Sequence, residues 1–465
     1  RVLPMHWLSS PTVRWDRGFF RKLLVVCLPI VIQNLMSASL HIIDGVMIGQ
    51  LGDAPYAAVT QATRYVFVYQ LFLFGLASGC GIFFSQHWGT QDVKSMRRAM
   101  GLCFRGALVL AVLFGGLGLL FPQGVMSIFL PKGESFGYAI QYLTIVAAGF
   151  LITAVDTVYA TCMKSAGKTV IPMTAGICSI LTNTFLNWIL IYGNLGAPAL
   201  GVRGAAIATV IAAGVSLAIN VGCSYGMKLP SAFRWQDWKL PDRAYLTQFA
   251  KTVLPVVLNE GFWSMGTSMY SVFYGRLGDA AVAAVGIVNT VDQLIFTMIY
   301  GIMNATAILV GNHLGAGDKE GARLTARRLI FACVVVGAVM GCIQLGVKGQ
   351  LVSVFNVSQE AKQLANIILF IGAFTIWVRA INSINVVGIL RAGGDTVFSM
   401  LLDTVALWVV GVPLVGIAAL VLHWPVYLCY LCTVMEEVIK MLVGLPRFRS
   451  GKWMNDLNQH VEAEA

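Results

Sequence analysis

Long apolar runs, each closed by a short polar turn, fill this chain almost from one end to the other. The pattern predicts twelve helices, over roughly 22–50, 55–86, 97–120, 136–163, 169–193, 202–226, 247–276, 281–312, 323–346, 360–389, 396–421 and 425–445. Most reach the ~20 apolar residues needed to cross a bilayer. The breaks carry turn chemistry: Gly52-Asp53 before Pro55, Pro131-Lys132-Gly133, the stretch 193–204 with Pro198, and Gly393-Gly394-Asp395. Asp92 and Asp318 follow Gly-containing turns and read as N-caps of the third and ninth helices.

One stretch is written twice. Residues 29–59 read PIVIQNLMSASLHIIDGVMIGQLGDAPYAAV, and residues 255–285 read PVVLNEGFWSMGTSMYSVFYGRLGDAAVAAV, with 11 of 31 positions identical. A constant offset of 226 then carries Gly75 onto Gly301, His87 onto His313, Gly89 onto Gly315 and Asp92 onto Asp318. So long a gap-free register marks an internal repeat. The chain divides into a lead-in (1–21), a first six-helix lobe (22–227), a linker (228–246), a second six-helix lobe (247–445) and a tail (446–465).

Composition turns these runs into membrane spans. Of 465 residues, 57% are apolar and 11% charged, against about 25% charged in a soluble domain. The fold class is an all-α membrane protein. The 48 glycines suit close helix packing in lipid, with Gly75-x-x-x-Gly79 and Gly337-x-x-x-Gly341 as instances. The first 21 residues lack the apolar core of a cleaved signal peptide and read as an amphipathic lead-in lying on the membrane.

Lys and Arg divide 25 to 6 between the two sides, with Arg379 left inside the tenth helix. That bias places both termini in the cytoplasm. It also accounts for most of the net charge of +11 without a nucleic-acid partner, because the basic residues are spread over loops and tails. Attraction to anionic membrane lipid follows. Cys429-x-x-Cys432 lies in an apolar helix without partner ligands and reads as structural. No hydrolase, zincin or phosphate-loop motif is present, so an enzyme is not expected, and neither is a metal or an organic cofactor.

The candidate chemistry is then the set of ionisable and amide side chains inside spans, which are costly there and usually face a cavity or pair off. The first lobe holds Asp44, Asp156, and Asn183 with Asn187 one turn apart. The second holds Glu260, Asp292, Arg379, Asn382, Asn385 and Asp403, with Arg379 facing Asp403 or Glu437 as a candidate pair. Under the repeat Asp44 aligns with Tyr270 and Glu260 with Asn34, so the acids are not equivalent. This favours separate duties, with Asp44 coupling and Glu260 orienting substrate or pairing within its lobe. Pro29 and Pro255 lie within their helices, where each removes a hydrogen bond and favours bending.

The helix openings, with Pro29-x14-Asp44 in the first half and Leu-Gly-Asp-Ala in both, resemble those of the multidrug and toxic compound extrusion (MATE) transporters. So do Lys164-Ser-Ala-Gly-Lys-Thr169, Asn183-Thr-Phe-Leu-Asn187 with the following Gly-Asn-Leu-Gly-Ala-Pro, and Leu390-Arg-Ala-Gly-Gly-Asp-Thr396. The ending Arg447-Phe-Arg-Ser-Gly-Lys-Trp453 resembles a bacterial, Firmicutes-type branch. The resemblance implies a V-shaped pair of lobes in a bacterial plasma membrane. It implies a monomer that exports amphipathic, mostly cationic compounds in exchange for H⁺ or Na⁺. It further implies an N-lobe cation site, matched here by Asp44 and Asn183, with Asp156 as a further candidate. Asn187 stands where an aspartate is common, which favours H⁺ over Na⁺. A helix-seven glutamate common in the family is replaced by Trp263, and Glu260 lies nearer Pro255. Neutralising Asp44 would let the first helix bend at Pro29 and release substrate from apolar walls, for which Trp263, Tyr270 and Trp377 are candidates.

Two other readings stay open. A lipid-linked precursor flippase shares this helix plan, but a pyrophosphate calls for several cavity arginines, and only Arg379 and Arg64 offer themselves. A non-transporting sensor or channel fits less well, since a two-lobe repeat already encloses a site.

Overall fold

The structure is a computed structural model and describes residues 17–355 and 357–455. Among these, every predicted run becomes a helix or a bent helix pair, and no strand occurs. The first half of the chain folds as α1 (Arg17–Gly49), α2 (Asp53–Gly89), α3 (Val93–Leu120), α4 (Pro122–Phe129), α5 (Glu134–Ala148), α6 (Phe150–Ser165), α7 (Val170–Tyr192) and α8 (Val202–Gly226). The second half folds as α9 (Arg243–Gly275), α10 (Asp279–Gly315) and α11 (Lys319–Val354). The spans α12 (Gln359–Arg391) and α13 (Thr396–Val421) follow, and α14 (Val426–Ser450) ends it. Residues 1–16 of the lead-in and 456–465 of the tail lie outside the described residues.

The predicted fourth helix is broken. It divides at Gly149 into α5 and α6, which meet at 46°. A Cβ at Gly149 would stand 2.8 Å from Val210 of α8, so glycine lets the helices close up there. The Tyr69 hydroxyl donates to the Phe150 carbonyl at 2.8 Å, and the two rings stack at 4.1 Å. A side chain thus engages a backbone acceptor at the kink. The short α4 is also additional to the sequence reading; Pro122 opens it, where a missing N–H costs nothing.

Two compact units emerge, one of residues Ile32–Thr247 and the other of Arg1–Val31 with Gln248–Ala465. The seam therefore runs through α1, just past Pro29, and not through the linker. Leu23, Val26 and Ile30 belong to the core of the second unit, and a Cβ at Gly301 would overlap Val31. The glycine pair predicted in the ninth helix is used: a Cβ at Gly337 would lie 3.2 Å from Trp377 Cα, and one at Gly341 would lie 2.5 Å from the Ala373 carbonyl. Small residues give the backbones of α11 and α12 the close approach on which association in lipid depends.

The second unit departs from regular α geometry at three places. Wide π turns occupy Ile384–Arg391 at the end of α12, and Ala406–Gly411 and Ile417–Val421 within α13. Such turns insert a residue into the helical ladder and re-aim the side chains around it.

Candidate functional site

In the first unit α1 and α7 bring Asp44 to the amide pair. Asn187 Nδ2 donates to Asp44 Oδ1 at 2.7 Å and lies 3.0 Å from Asn183 Oδ1. Asn183 Nδ2 reaches Thr209 Oγ1 of α8 at 3.4 Å. Asn183 and Asn187 are each 1% exposed. Spaced one turn apart on α7, they line up on one face, as the sequence spacing requires. The Oδ1 of Asn187 is buried and has no partner among the described residues. Asp156 stands separately, accepting from Ser216 at 2.8 Å and Asn220 at 2.7 Å, both on α8. Lys164, eight residues on along α6, makes no ion pair with Asp156. Neither acid is paired with Lys or Arg among the described residues.

In the second unit each acid inside the spans lies within ion-pair distance of a base. Arg391 on the π turn of α12 lies 2.7 Å from Glu260 of α9. Arg379 lies 2.6 Å from Asp292 and covers the Phe296 ring at 4.2 Å. Lys440 of α14 lies 2.5 Å from Glu436, 3.0 Å from Asp403 and 3.5 Å from Glu437. The Arg379 pairing expected with Asp403 or Glu437 therefore gives way to Asp292, because Lys440 holds the other two. Asn382 donates to Glu437 Oε2 at 2.7 Å and to its carbonyl at 2.6 Å. Asn385 is 1% exposed, with both amide atoms unpartnered among the described residues.

The aromatic candidates separate. Trp263 is 38% exposed, Trp377 packs half-buried against the core, and Tyr270 is buried. Tyr270 is no free wall: its hydroxyl donates to Glu436 Oε2 at 2.5 Å. Pro29 and Pro255 both lie inside unbroken helices, α1 and α9.

Arg391, Glu436 and Lys440 escaped the sequence reading. Arg391 and Lys440 were counted among the charges of the inner side, yet both are buried. Removing them leaves the Lys and Arg division at 23 to 6, the same bias. The signal for Lys440 was local: Glu436, Glu437 and Lys440 stand at i, i+1 and i+4 within an apolar helix.

The helix-end residues behave as caps. Asp92 accepts from Ser95 N at 3.0 Å, and Asp318 accepts from Gly321 N at 2.8 Å. His87 Nε2 is 3.1 Å from the Tyr245 hydroxyl, and His313 Nδ1 is 2.9 Å from Asp318. The backbone N–H of Gly321, then His313, holds the Asp318 carboxyl below its ordinary value.

Comparison with known proteins bears on this arrangement. The family model described as MatE matches residues 29–189 and again 255–417, two copies that begin at the two repeat prolines. The chain belongs to the MatE family. Its MatE relatives include the multidrug resistance protein PmpM of Pseudomonas aeruginosa, 25% identical over 87% of this chain and 86% of that one. A probable multidrug resistance protein NorM of Thermotoga maritima is 22% identical over 93% of both. Among solved structures, a MATE in complex with MaL6 superposes with TM-score 0.84 at 18% identity, covering 94% of this chain and 97% of that one. The Vibrio cholerae MATE transporter VcmN in its bent form gives 0.84 at 18% identity, covering 95% and 98%. These likenesses establish the twelve-helix MATE fold, and with it a multi-pass membrane protein.

Proposed function

We propose that this MatE protein is a multidrug efflux antiporter, and not an enzyme, in which Asp44 carries the coupling ion. The observation that supports this is the company Asp44 keeps: an amide pair and no base. A carboxylate fixed by Arg or Lys is held in one charge state, whereas one held by neutral donors can lose its charge without orphaning a buried cation. With the amide turned over, the unpartnered Asn187 Oδ1 would become the acceptor for a protonated Asp44 carboxyl. The site offers a single carboxylate, which favours H⁺ over Na⁺. Asp156, held by Ser216 and Asn220, is a second neutral-donor acid and serves as a relay or reserve site.

Drug export fits the names of the relatives, and the reading takes the compounds to be amphipathic and mostly cationic. That reading also fits the exposed Trp263 and an open apolar groove lined by Phe262, Met265, Thr404 and Trp408. The reading includes a monomer in a bacterial plasma membrane, and the charge bias supports placing both termini in the cytoplasm. A Firmicutes-type branch rests on the tail motif alone, since Bacillus subtilis relatives stand at 22% and 23% identity beside that of Pseudomonas. A flippase remains the second reading within this fold; it is disfavoured because Arg379 and Arg391 are each engaged by a carboxylate.

The test is drug export from proteoliposomes driven by a pH jump, with and without Na⁺. Asp44→Asn should abolish pH-driven export while purifying normally, since the amide keeps the shape but cannot cycle charge. Export that survives in Asp44→Asn removes Asp44 from coupling, and export that demands Na⁺ at fixed pH overturns the choice of ion.

A further inference from the structure

Lys440 lies deep in the second unit, 3% exposed. An ammonium carries three N–H donors and no acceptor, and here it faces three carboxylate oxygens: Glu436 Oε1, Asp403 Oδ1 and Glu437 Oε1. The second oxygen of each carboxylate is taken by a neutral donor. Tyr270 OH serves Glu436 Oε2 at 2.5 Å, Asn259 serves Asp403 Oδ2 at 3.1 Å, and Asn382 serves Glu437 Oε2 at 2.7 Å. One oxygen of each acid is thus left to converge on a single point of positive charge.

A structural ion pair needs one carboxylate, and burying such a pair gains little stability in itself. Three acids around one base is the arrangement of an oxygen cradle for a cation. An unpartnered amide atom adjoins it, Asn382 Oδ1, on the residue whose Nδ2 serves Glu437; both amide atoms of Asn385, three residues on, are unpartnered as well among the described residues. A Cβ on Gly444, one turn beyond Lys440, would stand 2.7 Å from Asn385 Nδ2. The cradle is also built to close tolerance, since a Cβ at Gly411 would overlap the Tyr270 hydroxyl and stand 2.6 Å from Glu436 Oε2.

We propose that Lys440 is a tethered cation: its ammonium occupies a monovalent-cation site in the second unit and so excludes mobile ions from it, leaving Asp44 to determine which ion couples. The last clause rests on the proposed role of Asp44; the occupied cradle does not. Removal of the ammonium with the side-chain volume kept, as in Lys440→Met, uncovers a site for Na⁺, Li⁺ or methylammonium.

The experiment is thermal unfolding of the full chain in detergent, titrated with NaCl, LiCl or methylammonium chloride against choline chloride at constant ionic strength. Both parent and variant carry Asp44→Asn, so any response arises outside the first unit's acid. The parent should give a flat titration. Lys440→Met should melt lower in choline and recover saturably, by about 5 °C, as a small cation is added, the order expected for a ligand that binds only the folded state. Adding Glu436→Gln should weaken that response several-fold. Where Lys440→Met does not purify as a single species, Lys440→Met/Glu437→Gln replaces it, and a saturable response is expected there too. A flat titration in the folded variant overturns the proposal, as does an equal response in the parent, because a mobile ion would then share the site with Lys440. A separate arm measures export by Lys440→Met with Asp44 intact, which should gain Na⁺ dependence. If Asp44 does not couple, that arm fails together with the Asp44→Asn export test, while the unfolding titration stands unaffected.

Discussion

Asp44 and Glu260 both sit within helices that open a repeat, yet the two units treat their acids in opposite ways. In the first unit Asp44 and Asp156 are held by Asn187, Ser216 and Asn220. In the second, Glu260, Asp292, Asp403, Glu436 and Glu437 each lie within ion-pair distance of Arg391, Arg379 or Lys440. A repeated sequence has kept its helices and its turns while exchanging the electrostatics inside. Neutral donors leave a carboxylate free to change charge, whereas a buried base ties it to one state. The contrast divides the intramembrane acids into a unit where neutral donors hold them and a unit where they face buried bases.

The sharpest way to break this contrast is to remove a base. Arg391→Leu leaves Glu260 buried and unpaired, so it should destabilise by about 3–5 kcal/mol, read as a large fall in the melting temperature in detergent. Asp44→Asn orphans no counter-ion and should shift it little. Comparable losses from both would erase the distinction between the units.

A smaller effect comes from crowding the second unit without touching a charge. Gly411→Ala drives a methyl into the Tyr270–Glu436 contact, and overpacking of this kind costs about 1–3 kcal/mol. Gly116, whose Cβ would meet nothing within 4 Å, supplies the control, where the same substitution should leave the melting temperature at or above that of the parent.

The smallest effect belongs to the helix ends, where the repeats remain alike. Asp318→Ala removes an N-cap and should cost about 0.5–2 kcal/mol. The Asp318 carboxyl is held below its ordinary value, so its contribution is complete above the pKa of the unfolded chain and disappears as pH falls through the lower folded value. The gap between parent and Asp318→Ala should therefore close in acid. A gap that widens as pH falls would reverse the assigned sign.

The division into repeats, the twelve helical runs and the two aspartate caps were legible in the sequence, because apolar length and turn residues are local signals. The amide pair of α7 was legible in the four-residue spacing of Asn183 and Asn187, and the resemblance to the family is what set Asn183 beside Asp44. The break at Gly149 was not: one glycine in an apolar run looks like any other until Val210 is seen against it. The pairing of the second unit was also hidden. Arg391 stands in a Gly-rich string that reads as a loop, and a π turn carries it inward to Glu260. Lys440 lies near a helix end, where a lysine ordinarily marks the membrane surface.

The seam within α1 has a consequence in time. Val31 of α1 fits beneath Gly301, which is made 270 residues later. At ~5–20 residues per second, that turn of α1 waits roughly 15–50 s in the membrane before the helix it packs against exists. A chain stopped anywhere before α10 leaves that apolar face of α1 without its seat.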